Sequence, residues 1–398
     1  MALKFDNDFV TYHSPKILKS PWILFVGLVV LSLQFLPGKA FAVKGGYDGG
    51  FYLLSEDEKF KFQVNLRVIP QYQYEYKETR LDTSTFQFES VRTFFKGHSF
   101  SSKVLYMIAV DYADGGASLK DAYVDLNIVN YFNIRTGQFY LPINREDFYS
   151  SFGSQMVTGS IVSGHFGIGR DRGLMLSGGV GPLPLNYYFF FTNGDGANAA
   201  NKNKEIMTGT RLEYIAMGRL TGYQGDPDYS DSPNLGFGAT ALYDFGSAKE
   251  TAGFQEDVDL GIKPHENRLV RGDLDGAFTW MGFNLLGQWQ FVYNTRFRSF
   301  DHGYLTQAGF FIVPHKFEAA GRYAVVIPDF PTPALALTGL TKDNEGSPNP
   351  IHELAGGLNY YFKGDKLKLQ GEYKQILNVN GIRNLNDQVV RAQLFLQF

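Results

Sequence analysis

Residues 60–76, FKFQVNLRVIPQYQYEY, alternate apolar and polar side chains along most of their length, a period that a β-strand provides and a helix does not. Phe60, Phe62, Val64, Leu66, Val68, Tyr72, Tyr74 and Tyr76 share one face; Lys61, Gln63, Asn65, Arg67, Gln71, Gln73 and Glu75 share the other. The apolar face is graded, with phenylalanines first, aliphatics in the middle and tyrosines last. An aliphatic band between aromatic ends suits a strand facing lipid, because aromatic rings settle at membrane interfaces. Two residues do not fit. Ile69 interrupts the polar face, and Pro70 removes a ladder donor.

The alternation recurs. It predicts sixteen strands at 60–76, 85–96, 103–112, 118–129, 132–143, 171–180, 185–193, 206–215, 235–245, 268–280, 283–294, 303–313, 316–326, 353–362, 366–376 and 387–398. Links after even-numbered strands are mostly short, such as NY, GPLP and KGD, whereas 144–170, 246–267 and 327–352, after odd-numbered strands, are long. Link 216–234 is too long for its place in that order. Sorting by parity predicts an all-β, sixteen-stranded antiparallel transmembrane β-barrel with short periplasmic turns and long extracellular loops. A soluble sandwich or propeller has no reason to sort its links this way. The last segment, QVVRAQLFLQF, places Val390, Ala392, Leu394, Leu396 and Phe398 on one face, with Phe395 out of pattern. In a closed barrel it pairs with the first strand, because lipid offers no partner for a free edge. Phe398 is the expected recognition signal for barrel-assembly machinery.

The N-terminal region sets the compartment. WILFVGLVVLSLQFL, 22–36, follows Lys16 and Lys19 and precedes PGKAFA, the order of a secretory signal peptide with cleavage after Ala42. Fifteen residues are short for a helical span of about twenty. The expected organisation is therefore a signal peptide at 1–42, a periplasmic lead-in at 43–59 and the barrel at 60–398. Removing the leader's four Lys/Arg and two Asp/Glu from 37 and 40 leaves a net charge of about −5, which argues against nucleic acid as a partner. With no cysteine there is no disulfide, thiol catalyst or thiolate metal site.

Three stretches resemble the phosphate-selective porin O/P family: GYDGGFYLLSEDEKFKFQVNLRVIPQY, FFKGHSFSSKVLYMIAVDY and LKDAYVDLNIVNYFNIRTGQFYLPINRED. The similarity covers about residues 45–180 and is loose afterwards. It implies a trimeric barrel in the bacterial outer membrane whose third extracellular loop folds inward to narrow a pore; here 144–170 occupies that place. On this reading the chain is a passive porin for small hydrophilic solutes and ions, with no cofactor, no metal and no covalent chemistry. Whether it prefers anions such as phosphate depends on charges in the lumen and constriction, not on the fold.

Those charges balance. Segment 144–172 carries Arg145, Arg170 and Arg172 against Glu146, Asp147 and Asp171, with His165 in addition. Arg145, Arg170, Arg172 and His165 are the candidate anion contacts, and Glu146 and Asp147 the opposing acids. Lys61, Arg67, Arg271, Lys316, Arg322, Lys368, Lys374 and Arg391 are expected to line the lumen among Glu75, Asp111, Asp121, Asp125, Asp273, Asp275, Glu318 and Glu372. Each sharp reading has a plainer one. RDR at 170–172 also reads as an ion pair at a strand start, and Glu146-Asp147 as a loop tether. Asn193-Gly-Asp-Gly196 and DNEG at 343–346 read as turns. Two other classes stay open. One is a surface structural or adhesion barrel with a blocked lumen, using 246–267 and 327–352 outside. The other is a barrel hydrolase built on His165 with Ser160 or Ser163.

Overall fold

A computed structural model describes residues 43–398 except 80, 114, 150–152, 202–203, 247–267, 296–297 and 330–347. The expected leader, most of links 246–267 and 327–352, and the DNEG turn lie outside the described residues.

Eighteen strands form one antiparallel sheet. A short hairpin, β1 (Val43–Tyr47) and β2 (Phe51–Ser55), precedes sixteen wall strands. These are β3 (Lys61–Lys77), β4 (Thr83–His98), β5 (Val104–Asp111), β6 (Ser118–Val129), β7 (Phe132–Tyr140), β8 (Arg170–Gly179), β9 (Leu185–Thr192) and β10 (Met207–Met217). They continue as β11 (Asn234–Asp244), β12 (Leu269–Trp280), β13 (Phe283–Asn294), β14 (Ser299–Val313), β15 (Phe317–Ile327), β16 (Ile351–Tyr361), β17 (Leu367–Leu377) and β18 (Asn386–Gln397). Each pairs with its sequence neighbour, and β18 pairs with β3 from Asp387↔Lys77 to Gln397↔Arg67, closing the ring. Leu66 and Phe398 exchange both backbone hydrogen bonds, at 2.7 and 3.0 Å. All sixteen expected strands are present, and the closure is the one that the last segment called for.

The pleat does what the alternation asked of it. Along β12, Leu269, Arg271, Asp273, Asp275, Ala277 and Thr279 are buried, while Leu274 and Trp280 are exposed. Exposed apolar residues such as Phe237, Leu274, Tyr304, Leu354 and Leu369 form the outer belt that a bilayer requires. The misfits resolve as well. Ile69 and Phe395 point inward and are buried. The β3–β4 register shifts between Ile69 and Pro70, and the β3–β18 pairing skips both, so the missing proline donor falls where no ladder bond is due.

The lead-in is more structured than its sequence signalled. β3 outruns β18 at the short-turn end, and β2 takes the vacant edge, pairing Phe51↔Val64 and Leu53↔Phe62. Gln63 and Asn65 hold the hairpin turn by donating to the carbonyls of Asp48 and Gly49.

Candidate functional site

Segment 144–170, between β7 and β8, turns into the barrel. Asn144 caps a single helical turn, α1 (Arg145–Phe148), by accepting from the Asp147 amide at 2.7 Å. Ser160 caps α2 (Ile161–Phe166) in the same way, accepting from Ser163. Both short helices press against the lumen face of the wall opposite their roots.

Two apolar patches seat the segment and its roots. Phe139 of β7, Leu141, Ile143 and, from the segment, Ile168 meet Met175, Phe190, Met207 and Leu242. Val162 and Phe166 of α2 meet Ala277, Leu286, Leu305, Ala324 and Val326. These wall residues face the lumen, where alternation alone predicts polar side chains.

Ion pairs then fix the register. Arg145 pairs with Glu213 of β10 at 2.8 Å and Asp275 of β12 at 2.5 Å. Asp275 also pairs with Arg211 at 2.7 Å. Glu146 pairs with Arg322 at 3.2 Å and accepts from the Ser160 amide and both the Ser160 and Ser163 hydroxyls. Arg322 in turn holds Glu353 at 2.6 Å. Gln155 is the densest polar node. Its side chain bonds Asn284, Gln307 and Glu318, and its carbonyl accepts from Asn359, so one residue touches β13, β14, β15 and β16.

The expected site residues therefore divide. Arg271, Arg322, Lys368 and Lys374 face the lumen but donate to carbonyls of Phe166, Thr158, Ser154 and Gly159, so the segment covers them. Arg145, a candidate anion contact, is 1% exposed and pairs with two acids. Arg391 pairs with Glu372 and donates to Gln73. Lys61 lies at the short-turn end, 3.8 Å from Asp48. Lys316 is exposed in the turn between β14 and β15 and does not reach the lumen. Arg172 donates to Gln138 at 3.3 Å. His165 lies 3.1 Å from Asp301, whereas Ser160 and Ser163 direct their hydroxyls to Glu146, so the serine–histidine hydrogen bond of a hydrolase is not formed among them.

A cavity of about 560 Å³ opens between the segment and the β3–β8 side of the wall. Its wall carries Arg67, Arg92, Arg135 and Arg170 with Glu89 and Asp121; its segment face carries Glu146, Asp147, Thr158 and Gly159. Arg170 grips Asp121 with two bonds, at 2.9 and 3.1 Å, and stacks on Tyr140. Arg135 grips Asp125 similarly, at 2.7 and 2.8 Å, and lies over Tyr123. Arg92 pairs with Asp111 at 2.8 Å. Arg67 lies between the rings of Phe94 and Phe395 and donates to Gln397. Burial first, and then the neighbouring Glu146, push the Asp147 carboxyl up to about 6. Arg92, Arg135, Gln155, Arg211, Glu213 and Glu353 carry much of this arrangement yet escaped the sequence reading. Inward strand parity alone marked the wall residues among them, and nothing marked Gln155, which lies in the segment.

No protein-family model matches the chain, and no curated protein matches it. Solved structures do. OmpF of Salmonella typhi, in complex with daunomycin, superposes with a TM-score of 0.56 at 14% identity, over 89% of this chain and 100% of that one. The outer membrane channel DcaP of Acinetobacter baumannii gives 0.55 at 11% identity, over 87% and 99%. The trimer form of OmpT, an outer membrane protein of Vibrio cholerae, gives 0.52 at 10% identity, over 84% and 99%. At such identities the likeness is one of fold: a closed sixteen-strand barrel of outer-membrane type.

Proposed function

We propose that this chain is an outer-membrane porin that lets small hydrophilic solutes and ions diffuse passively past segment 144–170. The carrying observation is the charged cavity between that segment and the β3–β8 wall, which has both signs of charge on its lining. Four arginines, three of them paired with wall acids, line one side with Glu89 and Asp121, and Glu146 and Asp147 line the other, so the field runs across the path more than along it. A transverse field orients polar solutes, and it gives weak net selectivity because the two signs nearly cancel. Anions, phosphate among them, would follow the arginine side. The outer-membrane placement is supported by the exposed apolar belt and by the solved barrels of like fold. Lipid, barrel-assembly machinery and two further copies in a homotrimer are the partners that such a barrel implies.

The test is single-channel recording of purified protein in a planar bilayer, with the reversal potential read across a salt gradient. Stepwise ohmic openings with an anion-to-cation permeability ratio near unity support a general porin. A ratio far above unity makes it an anion-specific one. A silent bilayer with folded protein favours a blocked barrel acting through its outer loops.

A further inference from the structure

The link too long for its parity, between β10 and β11, does not hang free at the short-turn end. Three neighbouring turns hold residues 218–233. Tyr223 donates to Asp365 at 3.0 Å in the turn between β16 and β17. His315, between β14 and β15, lies 2.7 Å from the Pro227 carbonyl. The Asp226 carboxylate accepts from the Gly282 amide at 2.9 Å, between β12 and β13, and also from the amide and hydroxyl of Ser230.

From there the link rises into the lumen and meets segment 144–170 coming from the other end. The Gln224 amide donates to the Gly153 carbonyl at 2.9 Å, and its side-chain oxygen accepts from the Gln155 amide at 3.0 Å. The same oxygen accepts from Gln307 of β14 at 3.0 Å. Gly153 lets link and segment approach, since a Cβ there would strike the Gly222 carbonyl; Gly225 lets the link lie on the wall, since a Cβ there would strike the Glu318 carboxylate of β15. Gln224 is buried. A buried glutamine whose backbone amide and side-chain oxygen are both engaged, the oxygen three times over, is a seat, not a passing contact.

We infer that link 218–233 is a second pore-limiting element, a periplasmic floor that joins segment 144–170 and closes the β12–β17 half of the lumen. Solute is thereby confined to the half lined by Arg67, Arg92, Arg135 and Arg170. The inference rests on the porin reading above and adds which part of the cross-section conducts and what shuts the rest.

Two variants test it by planar-bilayer conductance and by liposome swelling with sugars of increasing size. One replaces 220–231 with a two-residue turn of the kind found elsewhere at that end. The other, Gln155→Ala with Gln224→Ala, cuts the junction at full chain length and serves if the shortened barrel does not fold. Removing the floor should raise single-channel conductance roughly twofold, as open cross-section sets the current, and should admit sugars that the parent excludes. The double variant should shift in the same direction by less. Unchanged conductance and size cut-off in folded protein, as judged by heat-modifiable migration, overturn the floor while leaving the porin intact. A parent protein that never conducts overturns the porin reading itself, and the floor with it.

Discussion

Glu146 of segment 144–170 and Arg322 of β15 meet at 3.2 Å, both side chains nearly fully buried. Arg322 also holds Glu353 and the carbonyls of Thr158 and Gly159, so one guanidinium ties the segment to the far wall. Arg322→Ala leaves Glu146 buried without its cation and Glu353 with only Lys374, 3.4 Å away, a loss of about 3–5 kcal/mol for a buried pair broken on one side. The expected outcome is a lower unfolding temperature in detergent together with larger, noisier channel openings. Arg322→Lys, which cannot fork, should restore only part of either. A quiet Ala variant with the parent's conductance would show that the apolar patches and the remaining polar anchors seat the segment without this arginine.

Asp147 gives the cavity a pH dependence. Its folded value, raised to about 6, lies above the ordinary 3.8, so the fold disfavours the charged form. This unfavourable contribution is present above pH 6 and is relieved as pH falls from 6 towards 3.8. The segment is therefore held more firmly at pH 5 than at pH 7. Over the same interval its face loses a negative charge, so the reversal potential should move towards anion selectivity. Asp147→Asn should show the acidic behaviour at both values; an unaltered pH profile in that variant would assign the effect elsewhere.

Arg170 and Asp121 form a bidentate pair on the wall of the cavity. Arg170→Gln removes one positive charge and releases one negative charge, so the permeability ratio should shift towards cations, and more at low salt than at high. Reversal potentials at two ionic strengths measure it. A shift towards anions would mean that the cavity wall does not face the permeating ion.

Leu274, in the middle of β12, is 52% exposed on the outer belt. Leu274→Arg should cost about 2–4 kcal/mol in a bilayer if the residue sits near the midplane, and little in water. Refolding titrations in vesicles read the difference. A neutral result would place this face away from lipid, for instance against a second copy.

His165→Ala tests the hydrolase alternative together with the role of Asp301. Because Ser160 and Ser163 serve Glu146, the variant should conduct as the parent does and lose no esterase or peptidase activity, measured on chromogenic substrates. Loss of a hydrolytic activity present in the parent would reopen that reading.

The wall was legible because a pleated strand between lipid and water writes its two faces into alternate letters. Even the misfits carried information, since Phe395 lies under Arg67 and Lys368 and the long link 216–234 packs inside, while Ile69 lines the cavity. The interior was not legible, for a physical reason. Arg145 finds Asp275 across 130 positions and Gln155 finds Glu318 across 163, and no local periodicity encodes which inward residue a loop will meet. Leu286, Leu305 and Val326 look like strand residues of either face until α2 is seen resting on them. The hairpin of β1 and β2 escaped for want of length: five-residue strands, the first with two glycines, give too few alternations to read.

The seam between β3 and β18 bears on how the ring is made. Every other wall pair joins neighbours in the chain, whereas Arg67 and Gln397 lie 330 positions apart. Local hairpins can form early and cheaply, but the last contact must wait for the most distant partner, the kind of pairing that makes folding slow. Until then the sheet is an open ribbon with two free edges, the form most ready to add a strand from another molecule. The seam is thus where nascent chains are most exposed to aggregation and where an escorting factor would have most to protect.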